Sequence, residues 1–249
     1  MSFKDHFSGH AEDYARYRPG YPERLFEWLA SVSPARDAVW DCATGNGQAA
    51  LQLARVFSRV TATDASREQI EAATACDNVE YAVAPAENSG LAPSSMDAIN
   101  VAQALHWFDT ERFYTHAFDV LRPGGVLLVS SYGLCQITPE IDVIVNGLYG
   151  ETLDRYWPPE RLLVEQQYAG RLPDWPVLAS PPFAMSVDWA LDDMIGYLGS
   201  WSALRRYRKS HHDDPLVVVR EQLRPVWGAG SRTVEWPLFV HAARKPGAF

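Results

Sequence analysis

Short apolar runs alternate along the chain with stretches whose apolar positions recur every three or four residues. Residues 38–42, 59–63, 79–83, 96–102 and 126–131 are apolar runs of strand length. Between them, residues 47–57 place Ala49, Ala50, Leu51, Leu53 and Ala54 on one helical stripe. Another helix begins behind Ser66, an N-cap residue with Glu68 and Gln69 in the first turn, and a third spans 111–121. Strands alternating with helices predict βαβ units and a parallel sheet. From residue 132 the alternation breaks. The pattern predicts helices at 139–149 and 159–168 around Trp157-Pro158-Pro159, then a strand at 183–189. An amphipathic helix at 191–209 carries Met194, Ile195, Tyr197, Leu198, Trp201 and Leu204, followed by a helix at 215–227 and a last strand at 232–242. Ahead of the first strand, residues 3–29 read as two helical pieces broken at Arg18-Pro19-Gly20-Tyr21-Pro22, because the residue before a proline is pushed out of the helical region. The expected fold is an α/β, doubly wound, seven-stranded, mostly parallel sheet in one domain over 1–249. Within it, 1–30 is a helical cap, 36–131 the core, 132–230 helical insertions around strand six, and 231–245 the last strand.

Composition narrows the function classes. The chain has 249 residues, 47% hydrophobic and 21% charged, and 22 Lys and Arg against 31 Asp and Glu give a net charge of −9. That balance disfavours nucleic acid and anionic membranes, both of which need clustered cations. No apolar run has the length of a membrane span, and Met1-Ser2-Phe3-Lys4-Asp5 lacks a signal peptide's apolar core. Cys42, Cys76 and Cys135 are odd in number and share no metal-like spacing, so a reducing cytoplasm and no metal are expected. In His211-His212-Asp213-Asp214 adjacent side chains point apart, which makes a solvated turn and not a metal site. Nine tryptophans suit core packing or the wall of an apolar or planar ligand's pocket.

The chemistry concentrates at Asp41-Cys42-Ala43-Thr44-Gly45-Asn46-Gly47-Gln48-Ala49-Ala50. An apolar strand meets an acid, then Gly-x-Gly, then a helix, the form of a nucleotide-binding βα turn. The glycines permit a tight turn and close approach of a ligand, and the helix start points unpaired N–H groups into the same space. Two ligands suit it. Gly45-Asn46-Gly47-Gln48-Ala49-Ala50 fits the dinucleotide form, with Asp64 as a ribose acid about 20 residues on. Against NAD stands Asp41, which would repel a pyrophosphate by about 1 kcal/mol or more at close range. An acid there suits a ligand that presents a cation, and S-adenosylmethionine presents a sulfonium and a free amino group. A Tyr-x-x-x-Lys hydride-transfer pair is absent from Tyr14, Tyr17 and Tyr114. An NAD-dependent oxidoreductase and a non-catalytic S-adenosylmethionine-binding protein remain the alternatives.

Asp-Cys-Ala-Thr-Gly-Asn-Gly resembles the first motif of the class I S-adenosylmethionine-dependent methyltransferases. Ala43 stands where that family usually has its first glycine. Gln103-Ala104-Leu105-His106-Trp107-Phe108-Asp109 is similar to the trans-aconitate methyltransferase-like, methyltransferase type 11 branch. So are Phe7-Ser8-Gly9-His10-Ala11-Glu12-Asp13-Tyr14, Tyr17-Arg18-Pro19-Gly20-Tyr21-Pro22 and Gly196-Tyr197-Leu198-Gly199-Ser200-Trp201. Leu121-Arg122-Pro123-Gly124-Gly125 resembles the family's structural turn before strand five. The resemblance implies a Rossmann-like fold with an antiparallel seventh strand and helical lid insertions over the acceptor. It implies S-adenosyl-L-methionine held by Tyr14 and Arg18 from the leader. Asp41, Ala43, Gly45 and Gly47 would hold its methionine part, Asp64 and Ala65 its ribose, and Ala86 and Glu87 its adenine. Pro85 stands where an acid is common. Gln103, Ala104 and Trp107 would face the reacting side, with His106 as the catalytic base. The expected reaction is methyl transfer to a small-molecule acceptor, a carboxylate by the branch resemblance, which Arg161, Arg205 or Arg206 would pair. A monomer or homodimer is expected.

Overall fold

The structure, a computed structural model, describes residues 19–247. Tyr14, Arg18 and most of the expected 1–30 cap lie outside the described residues. Helix α1 (Glu23–Val32) starts behind Pro22 and buries Leu25, Phe26, Leu29 and Ala30 on one face. The core then alternates as the pattern requires: β1 (Ala38–Cys42), α2 (Gln48–Leu53), β2 (Arg59–Asp64), α3 (Arg67–Glu71), β3 (Val79–Val83), β4 (Met96–Ala102), α4 (Thr110–Val120) and β5 (Leu121–Tyr132). Ser66 caps α3, its hydroxyl accepting from Gln69 N–H at 3.4 Å. All five residues of β1 are buried, as a central parallel strand covered on both faces demands. Val39 packs with Phe26, Ala50, Val60 and Leu128 on one face. Trp40 packs with Ile99, Phe113 and Leu127 on the other.

Asp97 ties the amino edge of this sheet together. Fully buried, it accepts from the backbone N–H of Asp37 and Ala38 at 2.9 Å each and from Arg122 at 2.8 Å. The Arg-Pro-Gly-Gly turn therefore supplies a cation to a carboxylate that holds the start of β1 against β4.

Beyond β5 come α5 (Pro139–Gly147), a π turn (Leu148–Thr152), a 3₁₀ turn (Asp154–Tyr156), α6 (Arg161–Glu165), β6 (Val177–Leu178), β7 (Ala184–Trp189), α7 (Leu191–Gly199), α8 (Ser202–Ser210), α9 (Pro215–Trp227) and β8 (Arg232–Arg244). The sheet runs β3-β2-β1-β4-β5-β8-β6, and β7 also pairs with β8. β1 to β5 are mutually parallel, and β8 is antiparallel to β5.

Two expectations need correction. Strand six is split, so eight strands occupy seven positions. Val177 and Leu178 pair with Ala243 and Ala242, whereas 184–189 pair with 237–232 of the same strand. Pro181 and Pro182 lie between them and cannot donate to a ladder. Pro237 marks where β8 passes from β7 to β5. The expected helix over 191–209 is two helices. Gly199 and Ser200 are weak helix formers, Ser200 Oγ bonds back to Tyr197 O at 2.6 Å, and Trp201 turns extended to bury its indole. That indole joins Tyr197, Leu198, Trp227 and Trp236 in a separate core under the insertions, where Trp236 Nε1 donates to Tyr197 Oη at 3.0 Å. Trp40, Trp227 and Trp236 are among the largest fully buried side chains, so these three serve packing.

Candidate active site at the carboxyl edge of the sheet

The chain leaves β1 through three left-handed residues: Ala43 (φ 57°), Gly45 (φ 59°) and Gly47 (φ 88°). The family's first glycine is thus replaced by an alanine that keeps the left-handed backbone. A Cβ on Gly47 would run into the Tyr81 ring and hydroxyl, so glycine is required there for space as well as for φ. Thr44 N–H bonds to Thr63 O at 2.9 Å, which joins this turn to the end of β2.

Asp41 is buried beneath the turn. Its carboxylate accepts from Thr44 Oγ1 at 2.5 Å and from Asn100 Nδ2, on neighbouring β4, at 2.7 Å. Burial pushes its carboxyl up to about 6, Asp64's charge adding to the rise while Thr44 and Asn100 oppose it. Asp64 ends β2 with Oδ2 accepting from Gly45 N–H at 2.9 Å and Oδ1 from Ser66 N–H at 2.8 Å. These two bonds aim the carboxylate across the turn that follows β1. Ala65 is exposed beside it.

After β3, Ala86 is buried and Glu87 Oε1 accepts from Asp109 N–H at 2.9 Å, which draws this loop onto the one behind β4. At the end of β4, Gln103 also has a left-handed backbone (φ 54°). Its side-chain amide spans the Tyr132 backbone, donating to O at 3.1 Å and accepting from N–H at 2.9 Å, and so fastens β4 to β5. Ala104 is buried, and its carbonyl accepts from Trp107 N–H at 3.0 Å in the 3₁₀ turn Leu105–Trp107. Strained residues at the ends of β1 and β4 lie where ligands of open parallel sheets bind.

His106 sits in that turn with its ring 4.6 Å from Trp107 and its Nδ1 3.1 Å from Tyr168 Oη. Burial, with Arg161 nearby, pushes the imidazole down to about 4. Of the three candidate arginines, Arg161 opens α6, which packs on the His106 turn. Arg205 and Arg206 lie on α8, and Arg206 donates to Tyr156 O at 3.1 Å. The 211–214 turn is structural: Asp213 accepts from Tyr207 and Asp214 caps α9 through Leu216 N–H. Sequence reasoning missed Thr44, Asn100 and Tyr168. Asn100 becomes visible only when β1 and β4 pair, whereas Thr44 lies three residues after Asp41 and was legible as a local hydroxyl partner for it. Tyr168, in the loop after α6, lies 62 residues from His106 and carries no local signal.

The strand order with an antiparallel strand beside β5, a glycine turn after β1 and an acid closing β2 together define the fold of class I methyltransferases. Residues 40–129 match a family described as a methyltransferase domain. A Dictyostelium discoideum protein described as a methyltransferase is 36% identical over 225 residues, covering 89% of this chain and 86% of that one. A Mycobacterium tuberculosis protein described as an uncharacterized methyltransferase is 36% identical over 115 residues, 46% of each chain. A solved structure described as a type II methyltransferase from Anaeromyxobacter dehalogenans superimposes with a TM-score of 0.89 at 43% identity, over 93% of this chain and 100% of that one. The chain belongs to the class I S-adenosylmethionine-dependent methyltransferases, and S-adenosylmethionine is its cofactor. The dinucleotide reading is set aside. The residues present fit the cofactor: a Gly-x-Gly cradle without side chains, flanked by two carboxylates and no lysine or arginine in 41–50, suits a cationic nucleoside. Among the described residues no helix is long and apolar enough to cross a membrane.

Proposed function

We propose that this enzyme methylates a small-molecule carboxylate to its methyl ester, the cofactor supplying an electrophilic methyl group. His106 is the observation that supports the acceptor class. It is the titratable base in the 3₁₀ turn behind β4, and burial pushes it down to about 4. A base that weak does not draw a proton from an alcohol, a phenol or an ammonium group at neutral pH. A carboxylate arrives already ionised and needs no base. In this reading His106 and Tyr168 orient the acceptor, and proton abstraction drops out of the mechanism. Proximity and alignment supply the rate, worth about 7–11 kcal/mol in favourable cases.

Asp41 and the 43–47 turn would hold the methionine part, Asp64 and Ala65 the ribose, and Ala86 with Glu87 the adenine. Gln103 and Ala104 would set the edge of β4, and Trp107 would offer its ring face to the sulfonium. Tyr14 and Arg18 would close the site from the leader, Arg18 pairing with the cofactor's carboxylate. The net charge of −9 supports a small acceptor over nucleic acid.

Calorimetric titration with S-adenosylhomocysteine and, separately, NAD tests the cofactor roles; binding of the former, lost in Asp64→Ala, is expected. Labelled methyl transfer to a panel of acids, phenols, alcohols and amines tests the acceptor. Esters are expected from acids alone, with kcat/KM level between about pH 6 and 9 because no catalytic base titrates there. Transfer to phenols or amines with none to acids would overturn the carboxylate reading.

A further inference from the structure

Arg161 stands out among the charged groups near the site. Its guanidinium carbon lies 5.4 Å from the ring centres of both Tyr149 and Trp157. Nε donates to Tyr149 Oη at 2.7 Å, and that hydroxyl donates onward to Glu165 Oε1, which itself lies 3.9 Å from Nε. The arginine side chain is only 18% exposed. All of these contacts fall on the Nε edge and the faces of the group. Among the described residues neither Nη of Arg161 has a hydrogen-bond partner, so four N–H donors of a permanently charged fork are unused. Glu165, itself 41% exposed, meets this charge only from the Nε edge at 3.9 Å, which leaves the Nη fork open to an anion of the acceptor.

Arg161 also lies near the site, close enough for its charge to act on both His106 and Tyr168. α6 packs on the 3₁₀ turn that carries His106 and Trp107, and Tyr168, in the loop after α6, reaches His106 Nδ1. Esterification forms an O–CH₃ bond at a carboxylate oxygen while the S–CH₃ bond breaks and its electron pair stays on sulfur. No proton is released, and the acceptor loses one negative charge. A guanidinium gripping the reacting carboxylate would stabilise that charge most before reaction and would slow the step. Arg161 is therefore suited to an anion that keeps its charge throughout.

We infer that Arg161, aligned by Tyr149 and Glu165, is a specificity-determining residue that binds a second, non-reacting anionic group of the acceptor. The inference rests on the carboxylate reading above. Arg161 selects acceptors with two anionic groups, and Tyr149 is a positioning residue that acts through it.

The test uses the whole enzyme, labelled S-adenosylmethionine, the linear diacids from malonate to adipate, the monoamide of each, and a phosphonate analogue of the best diacid. The best diacid is expected to have a KM at least about tenfold below that of its monoamide, as a charge-assisted fork bond implies. Arg161→Gln should abolish that difference by raising the diacid KM, while kcat on the monoamide and the affinity for S-adenosylhomocysteine stay unchanged. Arg161→Lys should restore only part, because a point charge lacks the fork. Tyr149→Phe should raise the diacid KM by a smaller factor. A phosphonate turned over with a similarly low KM makes the anchor a general anion site; loss of that preference marks a carboxylate site, and both support the role of Arg161. Diacids esterified with the same KM by Arg161→Gln overturn the inference alone. Failure of Arg161→Gln and Arg161→Lys to bind S-adenosylhomocysteine overturns it in favour of a structural role. A wild-type enzyme that esterifies no acid removes the carboxylate reading, and this inference with it.

Discussion

At the scale of single residues, Ala43, an alanine in a left-handed backbone within the 43–47 turn, is where a substitution is most informative. A left-handed backbone costs an alanine about 1–2 kcal/mol that glycine escapes, whereas glycine loses about 0.4–1 kcal/mol to its freer unfolded chain. Ala43→Gly is therefore expected to raise stability by about 0.5–1 kcal/mol and, if the 43–47 turn holds the methionine part as proposed, to tighten S-adenosylhomocysteine by removing a Cβ. A urea titration and a calorimetric isotherm check both; a lower urea midpoint would show that the neighbouring packing depends on the methyl group. Gly47 differs in kind, because the Tyr81 hydroxyl fills the space a Cβ would need.

At the scale of elements, the sheet is held at its two edges by different devices. At the carboxyl edge, Gln103 ties β4 to β5 through both polar atoms of its amide. At the amino edge, Asp97 gathers two backbone N–H groups from the start of β1 and the Arg122 guanidinium. Removing one partner of a buried charged network leaves the others without compensation. Asp97→Ala is expected to cost about 3–5 kcal/mol, measured by denaturant unfolding. Asp97→Asn, which keeps one acceptor, should cost clearly less. Equal losses in the two variants would mean that the carboxylate's charge, and neither the volume nor the one acceptor that Asn keeps, is what the position supplies. The double proline at 181–182 and the Gly199-Ser200 pair act at the same scale. Each ends an element whose periodicity, read alone, continues through it.

At the scale of the whole molecule, Asp41 on β1 and His106 in the turn behind β4 oppose each other in pH. Asp41 is pushed up from 3.8 to about 6. Between those values the folded chain keeps a proton that the unfolded chain has lost, so stability falls as pH rises. His106 is pushed down from 6.5 to about 4. Across nearly the same window the unfolded chain holds a proton that the folded chain lacks, so this contribution is present above 6.5 and is lost as pH falls toward 4. Each amounts to about 3 kcal/mol over its window, and in the parent chain the two nearly cancel. Asp41→Asn should leave the His106 slope and gain stability from about pH 4 to 6. His106→Gln should leave the Asp41 slope and lose stability over the same interval. Urea midpoints at several pH values decide it, and identical slopes in all three chains would show that neither group shifts on folding. A bound cationic cofactor favours the ionised Asp41, so its affinity should weaken below about pH 6.

The sequence alone determined the alternation of strands and helices through residue 131, the Gly45 and Gly47 turn, the Ser66 cap and the acid that closes β2. These are local: hydrophobic period, glycine, proline and capping residues act within a few positions, and the chain carries them wherever it is folded. The tertiary structure decided what depends on distant partners. Asp41 meets Asn100, 59 residues away, only because β1 and β4 pair. His106 loses its basicity because burial, and after it the Arg161 charge brought from the insertions, disfavours the imidazolium. Strand six divides because one long β8 presents its edge to two short segments separated by prolines that cannot bond. Burial and long-range pairing are properties of the assembled chain. A histidine with the residue type of a base thus becomes, inside this fold, a weakly basic group whose imidazole is pushed down to about 4.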